Sequence, residues 1–251
     1  MTVDPERLAS LRYEDFKDLA KEAGLSQHER IGFPDAYREG YEEAILSDLR
    51  LKAFNLDTPG RSVVDIGCGC GALAERMMAF CESKRHRLIL VDSDEVLARL
   101  PEAPHVAMVP GRFHQETAAA LSDLFGAVDV VLAYSVFHYV VVDSNPFDFV
   151  DRALELLAPM GQLVVGDIPN LSMRRRFFSS AAGKAYHRAF TGTDTDPDVV
   201  FNALVPMSID DSVLLALVSR ARSAGYDAYP LPQHPDLPMA NRREDLLFRR
   251  P

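Results

Sequence analysis

A chain of 251 residues, 47% hydrophobic and 25% charged, carries enough apolar material to bury a core without covalent help, and a single domain over 1–251 is the expectation. Its net charge of -10 argues against a partner such as duplex nucleic acid, which needs a basic face to displace phosphate counterions. No apolar run reaches the roughly 18–20 residues that cross a bilayer, and the opening MTVDPERLAS lacks a basic segment followed by an apolar one, so the expected setting is cytoplasmic, with no membrane partner.

Residues 6–56 read as a helical prelude, with Tyr37, Tyr41, Ile45 and Leu49 recurring at spacing four before the turn Asp57-Thr58-Pro59-Gly60. From Arg61 onward, apolar runs of strand length alternate with helical patterns: SVVDIG, GALAERMMAF, RLILVD, DEVLARL, VAMVP with a helix after it, and VDVVLAYS. That alternation predicts a parallel sheet covered on both faces. FDFVDRALELLAP continues it as a helix broken at Pro159, and QLVVGDIP supplies a fifth strand. Residues 170–207 lose the rhythm. They hold Arg174-Arg175-Arg176, Phe177-Phe178 and the acidic run Asp194 to Asp198, and read as an insertion or lid. Ser208 followed by Asp211 resembles a helix start, and the helix DSVLLALVSRARSAG stops at Gly225. YDAYPLPQ and EDLLFRR read as two closing strands.

The expected fold is therefore α/β: a Rossmann-like, seven-stranded, mostly parallel sheet with helices on both faces, an antiparallel last strand and a helical N-terminal prelude. Within one domain, 1–58 would be a cap, 60–168 a cofactor-binding core, 170–207 a lid, and 208–251 the final helix and strands.

The most informative segment is Val63-Val64-Asp65-Ile66-Gly67-Cys68-Gly69-Cys70-Gly71, a buried strand running into a glycine-rich turn and then a helix. Glycines there let a ligand touch backbone at a sheet switch point. The next strand, Leu88 to Val91, ends at Asp92, about 20 residues on, where a carboxylate can accept from both hydroxyls of a ribose. The glycines alternate as G-x-G-x-G after an Asp, unlike the G-x-G-x-x-G of nicotinamide enzymes, the chief rival. Cys68 and Cys70, with no paired His or Cys nearby, do not complete a metal site, and none is expected. With Cys81 they do not make a disulfide framework, so reduced thiols are expected.

VVDIGCGCG, LILVDSD and LELLAPMGQLVVGD together resemble the class I S-adenosylmethionine-dependent methyltransferases over about residues 60–168. The resemblance implies S-adenosyl-L-methionine as cofactor, with S-adenosyl-L-homocysteine as product. It implies that Asp65 orders the loop and approaches the methionine amino group. Gly67, Cys68, Gly69 and Gly71 would then lie along the cofactor, and Asp92, with Ser93 beside it, would hold the ribose. Tyr134 and Ser135, ending the fourth strand, would face the reacting methyl. Where many relatives place an acidic residue near adenine, this chain has Gly111-Arg112-Phe113; either Phe113 packs on the ring or the backbone at Arg112 makes the polar contact.

Methyl transfer from a sulfonium gains most of its acceleration from alignment, on the order of 7–11 kcal/mol, so a base is helpful rather than obligatory. His138, just beyond the fourth strand, suits proton removal near neutral pH, against a reading as a packed histidine. Asp167, ending the fifth strand, is the second catalytic candidate, against a local turn cap. Substrate-binding candidates are Tyr37, Arg174 and Arg175 for an anionic acceptor, and His187 and His234; each also reads as an ordinary solvated residue. The acceptor partner would be a small polar molecule such as a sugar, sugar nucleotide or specialised metabolite of bacterial biosynthesis. O-methylation is preferred over N-methylation, and a non-catalytic cofactor-binding regulator is the alternative of another class. The oligomeric state is open, a homodimer included.

Overall fold

The computed structural model describes residues 11–251; the first residues of the anticipated prelude lie outside them. Seven strands form one sheet in the order β3-β2-β1-β4-β5-β7-β6. They are β1 (Ser62–Ile66), β2 (Arg87–Asp92), β3 (Val106–Pro110), β4 (Val128–Tyr134), β5 (Leu157–Pro169), β6 (Asp227–Pro232) and β7 (Arg243–Arg249). Neighbours from β3 to β5 pair in parallel, whereas β7 runs antiparallel to both β5 and β6. The expected architecture is thus the observed one. Chain order reverses between β1 and β4, and the crevice beyond their C-terminal ends is where a doubly wound sheet takes its ligands.

The strands read as nearly continuous apolar runs because both faces are covered. Val64, Ile89, Val131 and Val165 point to one side, toward α5 (Phe137–Asp143), α6 (Pro146–Glu155) and α9 (Asp211–Ser223). Their neighbours Val63, Leu88, Val130 and Val164 point to the other, toward α2 (Glu42–Lys52) and α3 (Ala72–Ser83). The period-two alternation of a strand thus splits the core into two layers. No helix among the described residues is long and apolar enough to cross a membrane.

Four local expectations are corrected. The prelude is not one amphipathic run: α1 (Tyr13–Lys21) and two 3-10 turns, Glu29–Ile31 and Asp35–Tyr37, precede α2. Gly32 and Gly40 adopt φ of 82° and 84°, left-handed values that a helix cannot continue through, so only Ile45 and Leu49 share a buried helical face. No α-helix follows β3; between Gly111 and Val128 the chain makes turns and a 3-10 turn at Ser122–Leu124. Helix α6 ends at Glu155, and Pro159 already belongs to β5. Helix α9 is capped by Asp210, which accepts from the backbone of Ser212 and Val213, while Ser208 donates to the Val205 carbonyl.

Residues 170–207 form α7 (Leu171–Ser179), α8 (Ala181–Thr191) and an irregular stretch. The cover over the sheet crevice comes instead from the N-terminal segment, whose α1, Ile31, Phe33 and Arg38 line it.

Candidate active site

The crevice beyond β1, β2 and β4 opens into a cavity with a solvent-open mouth, lined by the glycine loop, the ends of β2 and β4 and the N-terminal segment. Its floor is the glycine loop. Gly67 and Gly69 adopt φ of 69° and 65°, and a Cβ on them would come within 2.5 Å of Val136 Cγ2 and 2.9 Å of Ile31 Cγ2. Only glycine satisfies both the left-handed turn and the close approach of these two walls. The Gly69 amide donates to Asp92 Oδ2 at 2.9 Å and the Ser93 amide to Oδ1 at 2.7 Å. The carboxylate is thereby fixed at the end of β2, where it lines the cavity.

Burial pushes the Asp92 carboxyl up to about 6 in spite of those two amides. Burial, reinforced by Asp92, pushes Asp65 up to about 7. Two under-solvated acids beneath one cavity are a place prepared for a cation or for hydrogen-bond donors. Val96, Phe113 and Phe149 supply an apolar wall, with the two rings edge-to-face at 5.2 Å.

At the other end of the cavity, Ser135 follows β4 and Asp167 sits at the irregularity between Val165 and Ile168 in β5 rather than at its end, both with left-handed backbones, φ 62° and 60°. Such conformations cost about 1–3 kcal/mol each in non-glycine residues and persist where the surroundings impose them. Here the surroundings are a buried polar cluster. Ser135 Oγ donates to Asp167 Oδ2 at 2.5 Å; Arg38 Nη2 reaches the same oxygen at 2.7 Å and also bonds Ser135, and Arg243 Nη1 reaches it at 2.6 Å. Gln233 Nε2 bridges Asp167 and Asp245 at 3.3 and 3.2 Å, and the Asp167 amide donates to Asp245 at 2.8 Å.

Burial alone would raise the Asp167 carboxyl, but Arg243 and Arg38 overcome it and hold it below the usual range. Burial, with the two arginines adding to it, pushes His138 down to about 3, so its imidazole is neutral at physiological pH. Its Nδ1 is buried with no partner among the described residues, and so is Arg38 Nε. The Arg38 guanidinium lies 4.1 Å from the Phe33 ring centroid and 5.4 Å from that of Tyr134.

Among the site residues expected from sequence, Gly67, Cys68, Gly69, Gly71, Asp92, Arg112, Phe113, Tyr134 and Ser135 line the cavity. Asp65 lies beneath the loop on β1, and Ser93 caps the short helix α4 (Asp94–Leu97) through its hydroxyl, so neither faces the cavity. Asp167 bonds Ser135 and Arg38 from outside the cavity lining, and His138 is not part of that lining either, its ring centroid lying 3.9 Å from that of Tyr139. Tyr37, Arg174, Arg175, His187 and His234 are not brought to the cavity. Arg174 stacks on Phe178, Arg175 donates to the Ala203 carbonyl at 2.9 Å, and His187 meets Phe178 edge-on. His234 is exposed and accepts the Asp236 amide, while Tyr37 ends a 3-10 turn. Sequence reasoning missed Arg38, Arg243, Gln233 and Tyr13. The signal for Arg38 was its place in IGFPDAYREG, where a proline and glycines interrupt the helical pattern around a lone cation.

Residues 64–163 match the family model described as "Methyltransferase domain". The segment from β1 into β5 therefore resembles a methyltransferase domain, and the sheet order around it is that of the class I methyltransferase fold. Solved structures with the same fold include the plantazolicin methyltransferase BpumL in complex with a triazolic desmethylPZN analog and SAH, at 14% identity and TM-score 0.57, covering 95% of this chain and 99% of that one. The N-methyltransferase NodS from Bradyrhizobium japonicum, with S-adenosyl-L-homocysteine, is 15% identical with TM-score 0.55, covering 95% and 98%. A SAM dependent methyltransferase from Aquifex aeolicus is 11% identical with TM-score 0.52, covering 100% of both chains. Among curated proteins none matches the sequence.

The residues of the cavity fit S-adenosyl-L-methionine as a cofactor. The glycine loop leaves backbone in reach, Asp92 has acceptor capacity beyond its two amide bonds, and the Asp65 carboxyl beneath the loop, raised by burial, would regain its charge if an ammonium group approached it. The bound cofactor supplies an electrophilic methyl on sulfur.

Proposed function

We propose that the protein is an S-adenosylmethionine-dependent methyltransferase acting on oxygen of a small polar acceptor, a sugar, sugar nucleotide or similar specialised metabolite. The acceptor meets the cofactor over Tyr134 and Ser135, beside Arg38. The observation that carries this reading is the buried Arg38–Ser135–Asp167 cluster, a polar floor at one end of an otherwise mostly apolar cavity. Arg38 offers Nε, which has no hydrogen-bond partner among the described residues, to a hydroxyl or an anionic substituent. In this reading Arg38, rather than Arg174 or Arg175, takes any anionic group.

Neither catalytic candidate behaves as a strong base. Asp167 is ionised but clamped by two guanidiniums, and His138 binds a proton only near pH 3. Both act as positioning residues: Asp167 aims Arg38 and Ser135, and His138 keeps a neutral imidazole beside them. Holding acceptor oxygen, methyl and sulfur in line then supplies the acceleration. A panel of hydroxylated and aminated small molecules, followed by release of S-adenosyl-L-homocysteine, tests this. The expected result is turnover with hydroxylated acceptors; methylation confined to amines would replace the O-methyl reading with N-methylation, the activity named for NodS.

A further inference from the structure

We propose that the Tyr13 hydroxyl is a second anchor for the cofactor's ribose, facing Asp92 from the roof of the cavity. Tyr13 is the first residue of α1 and lines the cavity, yet its hydroxyl is buried with no hydrogen-bond partner among the described residues. An unpaired buried hydroxyl is costly, and a site that tolerates one is completed by what binds there.

Two cations lie over the ring. The Arg112 guanidinium lies 4.7 Å from its centroid and Lys17 Nζ 4.9 Å. Asp143 ties the arrangement together, accepting from Arg112 Nη2 at 2.8 Å and from the Tyr13 amide at 3.1 Å. Arg112, expected from sequence to touch the cofactor, is thereby a positioning residue for Tyr13.

The chemistry selects a vicinal diol. Asp92 only accepts, and its two amide bonds leave further lone pairs toward the cavity. Burial, with the negative charges of Asp92 and Glu116 adding to it, raises the Tyr13 phenol, so it stays protonated and able to donate. The phenol and Asp92 line the same cavity, and the phenol does not bond the carboxylate. A ribose between them donates one hydroxyl to the carboxylate and accepts at the other from the phenol. Asp92 alone would leave the second hydroxyl oxygen without a donor.

This inference rests on the cofactor assignment, and calorimetry with S-adenosyl-L-homocysteine separates the two. If the wild-type protein does not bind it, the assignment itself falls. If the wild type binds, Tyr13→Phe should weaken the affinity about 3- to 10-fold, the range of one neutral hydrogen bond. The thermal midpoint of the ligand-free variant should be unchanged or higher, because the substitution removes an unpaired buried hydroxyl. A merely structural tyrosine would lower that midpoint instead. With 2′-deoxy and 3′-deoxy ligands, the penalty of Tyr13→Phe should vanish for the analogue lacking the hydroxyl it contacts. Equal affinity of variant and wild type for the full ligand, or an equal loss for all three ligands, overturns the proposal.

Discussion

The two ends of the cavity are built by different means. The cofactor end is local and largely backbone: Gly67, Gly69 and Gly71 lie within one turn, and Asp92 is tied to it by the Gly69 amide, 23 residues away in sequence. The acceptor end is assembled from side chains distant along the chain. Arg38 meets Asp167 across 129 residues, and Arg243 meets it across 76. A site made of backbone tolerates sequence change around its glycines. A site made of distant side chains varies residue by residue, which is where acceptor choice can diverge on a shared scaffold.

The largest effect should come from breaking the acceptor end. Asp167 is 2% exposed and neutralises two buried guanidiniums. Asp167→Ala leaves those charges uncompensated and should cost about 3–5 kcal/mol of folding stability. For a domain of this size that is a fall in the thermal midpoint of roughly 10 °C. Scanning calorimetry reads it directly, and a midpoint within about 2 °C of wild type would show that the cluster is not the strut described here.

The cofactor end should answer with affinity rather than folding. Asp92→Ala should weaken S-adenosyl-L-homocysteine binding by roughly 1.5–3 kcal/mol, the scale of hydrogen bonds to a charged group. Its carboxyl is under-solvated in the free protein, so removing it should leave the thermal midpoint nearly unchanged or raised. An intact affinity in the folded variant would place the ribose elsewhere.

The same contrast explains what could be read from the chain in advance. Strands β1 to β5 announce themselves as apolar runs, and the glycine loop and Asp92 follow at fixed distances, because local spacing fixes local geometry. The failures lie where tertiary contacts decide. Nothing in the spacing of Arg38, Gln233 and Arg243 shows that β7 inserts between β5 and β6 and brings Arg243 opposite Pro169. Nor does the prelude's periodicity show that Gly32 and Gly40 break it so that Ile31 and Arg38 lean over the sheet. Three consecutive arginines are conspicuous in a sequence but settle locally, on Phe178, the Ala203 carbonyl and Asp211.

A subtler test uses protons. Asp65, at about 7, and Asp92, at about 6, both titrate above an ordinary aspartate, so each adds stability that is complete below the unfolded value near 4 and is lost as pH rises through the folded one. The ligand-free protein should therefore lose stability from about pH 4 to pH 7 on their account. An ammonium group near Asp65 and hydroxyls on Asp92 favour the ionised forms, so ligand binding at pH 6.5 should release protons and affinity should rise toward pH 8. Calorimetry in two buffers of different ionisation enthalpy measures the release. Proton uptake, or none, would mean that neither carboxylate recharges on binding.

The smallest expected effect belongs to the arginines that sequence alone made prominent. Arg174 and Arg175 sit on α7, outside the cavity, and each already has a partner, one an aromatic ring and the other a backbone carbonyl. Alanine at either position should change acceptor KM less than about 2-fold and stability by roughly 0.5 kcal/mol at most, as for surface substitutions away from special features. Arg38→Met, by contrast, keeps the apolar stem between Phe33 and Tyr134 while removing the charge, so it should raise acceptor KM well beyond that while leaving cofactor affinity nearly unaltered. The two outcomes together locate the acceptor. If Arg174→Ala or Arg175→Ala raises KM as much as Arg38→Met does, residues 170–207 reach the bound acceptor after all, and the roof of this site is not the N-terminal segment alone.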